Sequence, residues 1–204
     1  GYIEMDNIIV RILTKIFDLI LLNILFIVCS LPVITIGASI TALYTVLLKM
    51  TENEEGYILR GFLSAFKKNF RQSTIVWIIL LIIGAFIAID ITIIFNAKGT
   101  IRNVGFVLIS IVSLFYIMEV IFIFPLIAKF ENTTLRMFKN AVLIPASKLP
   151  AAVMVMVIVI MCIVVTFLNQ ATILYGAIVW NVIGVALVGY AVSFLLNAIF
   201  RSFL

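Results

Sequence analysis

Few side chains in this sequence could do chemistry, and Glu119 is the most isolated of them. It lies inside the apolar run Val104–Ala128, which holds no other charged residue. An ionised, unpartnered carboxylate at membrane depth costs several kcal/mol, so this group must be neutral or paired. Lys49, Asn23 and Asn181 sit in or at the ends of other apolar runs and are the candidates to meet it. Such a cluster serves either as polar glue between helices or as an ion or substrate site. A proton-coupled transporter ordinarily carries more than one acid of this kind. Asp18 lies one turn from Lys15 and reads as an interfacial pair, and Asp90 falls close to Lys98 and Arg102. Catalysis has little to draw on. The chain has no histidine, which removes His-dependent acid–base steps, His metal sites and Ser–His pairs together. No phosphate loop, paired carboxylates or metal-ligand spacing occurs. Cys29 and Cys162 lie within apolar runs and read as small buried hydrophobes. The expectation is a protein that is not an enzyme, with no cofactor and no nucleic-acid partner.

The elements that hold these residues are membrane helices. Of 204 residues 65% are hydrophobic and 11% charged, a balance that leaves no wet surface for a soluble domain. Apolar runs recur at Ile12–Leu31, Ile34–Met50, Ser73–Phe95, Val104–Ala128, Pro150–Leu168 and Thr172–Phe200. Most approach or exceed the roughly 18–20 residues that cross a bilayer core. The start, with Glu4 and Asp6, lacks the basic segment of a cleaved signal peptide. Pro32 leaves two readings of Ile12–Met50: a helical hairpin, or one kinked crossing. The distribution of cations separates them. With six spans and both termini cytoplasmic, 12 of the 14 Lys and Arg face inward, all but Lys98 and Arg102. With five spans, Arg11 and Lys15 move outside and the division becomes 10 against 4. Six spans are expected, in an all-α polytopic bundle forming one domain over residues 1–204, with short outer connections.

The charge concentrates in cytoplasmic connections. At 100° per residue, Leu59, Phe62, Leu63, Phe66 and Phe70 form one arc, and Arg60, Lys67, Lys68 and Arg71 the adjoining one. This describes an amphipathic helix lying at the membrane surface, apolar face down, with cations toward lipid phosphates or a partner. Trp77 follows at interfacial depth. The device recurs later in the chain: Glu55–Phe66 and Glu131–Val142 share Glu, Leu, Arg, Phe and Ala without gaps. The second copy carries Arg136, Phe138 and Lys139. The same offset superposes neighbouring spans, giving a weak repeat of residues 34–95 with 110–171, parallel because both copies face inward. Gly176, Gly184 and Gly189, with Ala177 and Ala186, thin one side of the last span and permit close packing.

Residues 21–50, LLNILFIVCSLPVITIGASITALYTVLLKM, and 54–77, EEGYILRGFLSAFKKNFRQSTIVW, carry a family signature. The chain resembles the YesL-like family of bacterial membrane proteins, found mostly in Gram-positive organisms. That resemblance implies a multi-pass plasma-membrane protein from carbohydrate-utilisation loci, beside ABC-transporter permeases, and supplies no catalytic residues. Three functions are expected from it and from the residues: an accessory subunit for carbohydrate uptake, a small transporter or channel using Glu119, or a membrane regulator of a sugar-sensing system.

Overall fold

Pro32 ends the first helix, as the steric restriction on the residue before proline requires. α1 (Tyr2–Ser30) stops there, and a 3-10 turn at Val33–Thr35 reverses the chain into α2 (Ile36–Thr51). Thr35 Oγ1 ties the turn by donating to the carbonyls of Cys29 at 2.6 Å and Pro32 at 2.7 Å. Residues 12–50 therefore form the hairpin and not a kinked crossing. The structure, a computed structural model, describes the backbone of residues 2–203 and the side chains of residues 8–203. The side chains of Glu4 and Asp6 lie outside those described residues.

Six helical segments are long and apolar enough to cross a membrane, and the described residues contain no strand. α2 is the centre of the bundle. It packs against α1, α3, α4 and α8, and Ala38, Ala42, Leu47 and Met50 are fully buried. Small residues set this contact. A Cβ on Gly37 would stand 2.5 Å from the Ser73 carbonyl oxygen and 2.7 Å from Trp77 Cβ; one on Gly189 would stand 2.7 Å from Leu47 Cδ1. The small-residue side of the last span thus packs within the chain at Gly189 and Ala186.

α3 (Ile58–Asn96) departs from the surface-helix expectation. It is one unbroken helix of 39 residues, about 58 Å long, that includes both the amphipathic segment and the following span. Neither proline nor glycine occurs between Gly61 and Gly84, so nothing in the backbone stops the helix where polarity changes. Its first half runs antiparallel beside α2. Thr41 Oγ1 and Ser73 Oγ meet at 2.8 Å, and Trp77 Nε1 donates to the Val33 carbonyl at 2.9 Å. Trp77 therefore pins the α1–α2 tip, a role its expected interfacial depth did not suggest.

α4 (Gly99–Lys129) returns along α3, with Tyr116 OH donating to the Leu80 carbonyl at 2.9 Å. Beyond Trp77, α3 continues for about 28 Å past the hairpin tip. There it meets α4, and among residues 81–96 and 99–117 only Ile87 and Ile109 are buried. The two helices form a projecting arm. α5 (Thr134–Ser147) begins where the sequence repeat carries the start of α3. Unlike α3 it does not continue into a span, because the chain breaks at Lys148 before α6 (Leu149–Thr166), whose second residue is Pro150. α7 (Gln170–Val179), a π-helical turn at Trp180–Gly184 and α8 (Val185–Phe200) complete the bundle.

Candidate functional site

The ion pairs among the described residues gather at one end of the bundle, where α1, α3, α4 and α8 meet the connection after α2. Lys15 Nζ reaches Glu55 Oε1 at 2.7 Å and the Met50 carbonyl at 2.9 Å, capping the carboxyl end of α2. Glu52 takes Lys129 at 3.2 Å and Arg201 at 3.9 Å. Asn197 Nδ2 donates to Thr51 Oγ1 at 2.7 Å and to the Leu48 carbonyl at 3.0 Å. α1, α4 and the last helix with its following turn are thereby fastened to the end of α2 and its connection Glu52–Tyr57. Lys15 does not pair with Asp18 as its spacing suggested. The connection after α2 supplies the better partner from far along the chain. Lys68 pairs with Glu131, and Gln72 Nε2 donates to the Asn132 carbonyl at 2.8 Å, joining the two sequence-related segments. The Lys68 ammonium, by hydrogen bond and by charge, holds the Glu131 carboxyl below its ordinary range.

Between α2, the first half of α3 and the end of α4 lies a polar cleft. It comprises two adjoining cavities of 280 and 330 Å³ that share Thr45, Lys49, Gly61 and Ser64. Arg60 and Glu55 line one, Lys68, Lys129 and Glu131 the other. Both acids are paired, Glu55 through Oε1 with Lys15 and Glu131 with Lys68, while Glu55 Oε2 is buried without a hydrogen-bond partner among the described residues. Lys49 and Arg60 make no ion pair or side-chain hydrogen bond among the described residues. Gly61 forms part of the shared wall, where a Cβ would meet only Val46 Cγ2, at 3.6 Å. Thr45 and Lys49, one turn apart on α2, are the signal from which the cleft is readable. It is inconspicuous because α2 is otherwise so apolar.

The residues expected to form one intramembrane cluster are separated. Asn23 is fully buried and belongs to the π-helical turn. Its Nδ2 donates to the carbonyls of Trp180 and Asn181, both at 3.0 Å, and its Oδ1 accepts the Ala186 N–H at 3.0 Å. A side chain has entered the helical ladder and widened it by one residue. The Asn181 side chain is exposed and donates to the Ala177 carbonyl at 2.7 Å. Lys49 lies in the cleft, and Glu119 is half-buried on α4 with no hydrogen bond or ion pair among the described residues.

The amphipathic face divides in the same way. Phe62 is fully buried and packs within the cluster that includes Leu19, Val46 and Met50, so it leaves the contact surface expected of it. Phe66 and Phe138 are half-buried. Arg60, Lys67, Lys68, Arg71, Arg136 and Lys139 are exposed, and Phe70 is 40% exposed. Phe62, Phe66 and Phe70 form a run of rings with centroids 6.3 and 5.5 Å apart, leading from the core to the surface.

Residues 19–91 match the model of a family described as "Protein of unknown function, DUF624". The matched segment holds α2 and, except for Ala186, the whole buried cluster around Phe62, whereas most of the cluster around Phe122 and Phe124 lies outside it. No curated protein and no solved structure matches the chain.

Proposed function

We propose that the protein is a non-catalytic accessory subunit of the bacterial plasma membrane that docks on another membrane protein. The partner we assign is the permease of a carbohydrate ABC transporter, on the strength of the YesL-like resemblance. The basic end and both termini then face the cytoplasm. One observation carries the docking role: the first half of α3 has two apolar sides. Ile58, Phe62 and Ala65 are buried against the bundle. Leu59, Leu63 and Phe70 are 50%, 39% and 40% exposed, beside Arg60, Lys67 and Arg71. A helix already packed on one side gains nothing within its own fold from a second apolar strip. α5 adds Leu135, 82% exposed, next to Arg136 and Lys139. Aromatic and Arg side chains around an apolar strip have the composition of a protein interface.

Purification of the tagged full-length protein in mild detergent tests this. Stoichiometric recovery of permease subunits, lost in a Leu59→Asp/Leu63→Asp variant that still folds, supports the assignment. Recovery of the protein alone from cells grown on the relevant sugar overturns it.

A further inference from the structure

We infer that the polar cleft between α2 and α3 binds a phosphate group. Arg60 also borders the docking strip of α3, whereas Lys49 on α2 does not, so a Lys49→Gln single variant, run beside the double one, separates the two ideas. The cleft is a cavity, and its acids are neutralised from outside it or across it, Glu55 by Lys15 and Glu131 by Lys68. What remains is two cations without acidic partners among the described residues, Lys49 on α2 and Arg60 on α3, beside the hydroxyls of Thr45 and Ser64. Thr45 Oγ1 donates to the Thr41 carbonyl at 2.8 Å, which fixes the rotamer at the cleft. The same cavity is lined by Gly56, Tyr57 and Ile58, where α3 begins without a side-chain cap. The first N–H groups of that helix add positive potential to the two cations. One ammonium, one guanidinium and the Ser64 hydroxyl, whose hydrogen is uncommitted where that of Thr45 is spent on the Thr41 carbonyl, are donors of the kind that recognise a tetrahedral oxyanion. Lys15, Lys68, Lys129 and Arg201 are each committed to a carboxylate, whereas Lys49 and Arg60 line one cavity with no such partner among the described residues. The cleft opens at the end of α2, and a phospholipid headgroup and a soluble phosphate carry the same recognised group.

The test uses the full-length protein in detergent and native mass spectrometry, with three separate additions: phosphatidylglycerol, phosphatidylcholine and inorganic phosphate. The comparison is wild type against Lys49→Gln/Arg60→Gln. Both residues are exposed, so the variant is expected to melt at the wild-type temperature without additive. Arg11→Gln, an exposed cation outside the cleft, serves as control. The site predicts one retained phosphate-bearing ligand in wild type and in Arg11→Gln. The double variant should bind about 30-fold more weakly, from roughly 1 kcal/mol per cation. Retention of phosphatidylglycerol over phosphatidylcholine, undisturbed by millimolar inorganic phosphate, assigns the site to an anionic lipid. Saturable binding of inorganic phosphate that displaces the lipid assigns it to a soluble phosphate. Equal binding of every addition by wild type and double variant overturns the inference.

Discussion

Replacing Asn23 with Leu should be among the most damaging single changes in the bundle. The two side chains have similar volume, so little cavity is created, and the loss is confined to hydrogen bonds. Asn23 satisfies three backbone groups: the Trp180 and Asn181 carbonyls and the Ala186 N–H. Interhelical polar contacts in membranes contribute about 0.6 kcal/mol on average and up to about 1.7 kcal/mol each. Three of them give about 2–5 kcal/mol if the π-helical turn persists. The turn could instead close into regular α-helix, which would restore internal bonds. That would rotate either α7 or α8 by one residue and take Gly189 out of register with Leu47, or move Trp180 Nε1 from Thr166 Oγ1, which it reaches at 2.9 Å. Either way the variant loses stability. The assay is reversible denaturant unfolding in lipid–detergent micelles, followed by tryptophan fluorescence, with Asn23→Asp as a second variant that keeps only the acceptor. If Asn23→Leu costs less than even one average contact of this kind, about 0.6 kcal/mol, the turn does not depend on its side-chain plug and the reasoning fails.

Three further outcomes follow from the geometry. In a double-mutant cycle, Lys15→Met and Glu55→Gln should show coupling of about 1–3 kcal/mol, because both side chains are about four-fifths buried; additive losses would deny the ion pair. Lys68→Ala should raise the Glu131 carboxyl toward its ordinary range, seen in a carbon-13 carboxyl titration. The sign follows from the lowered folded-state value: the pair's contribution is present above the unfolded carboxylate range and disappears as pH falls through the folded-state one. An unchanged titration midpoint would disconnect the two groups. Gly37→Ala should destabilise by about 1–3 kcal/mol through its 2.5 Å approach to the Ser73 carbonyl oxygen, whereas Gly61→Ala, with only a 3.6 Å contact, should stabilise by up to about 1 kcal/mol. Thermal melts that rank the two the other way would contradict the packing around α2.

The span count was legible because membrane helices announce themselves by composition, and Pro32 marked the hairpin tip. Local cues misled where the partner came from far along the chain. Lys15 had Asp18 one turn away, yet a helix neighbour at the lipid boundary offers little beside a carboxylate at the end of α2. Likewise, the polarity change near Gln72 suggested two helices, although backbone continuity depends on breakers, and there are none. Phe62 and Phe70 share one arc of a helical wheel, but α2 and α1 cover only part of it. No wheel could divide those rings between core and surface. Asn23 was marked as polar and intramembrane from sequence alone; that its partners are backbone groups in a widened turn required the tertiary contact.

The projecting pair formed by the far halves of α3 and α4 has a mechanical consequence. Beyond Trp77 each helix has, among the described residues, essentially the other as its protein neighbour, and lipid must supply the remaining lateral contacts. Tilting that pair exposes almost no buried surface, whereas tilting α2 would strip contacts from four helices. Bilayer thickness should therefore be accommodated by the pair first, at little cost to the centre. Because α3 is continuous, a tilt too large to be taken up by bending near Trp77 would also shift its first half along α2, at the cost of the packing there, and with it the Arg60–Arg71 face. Membrane thickness and the attitude of that face would then be coupled through a single rod.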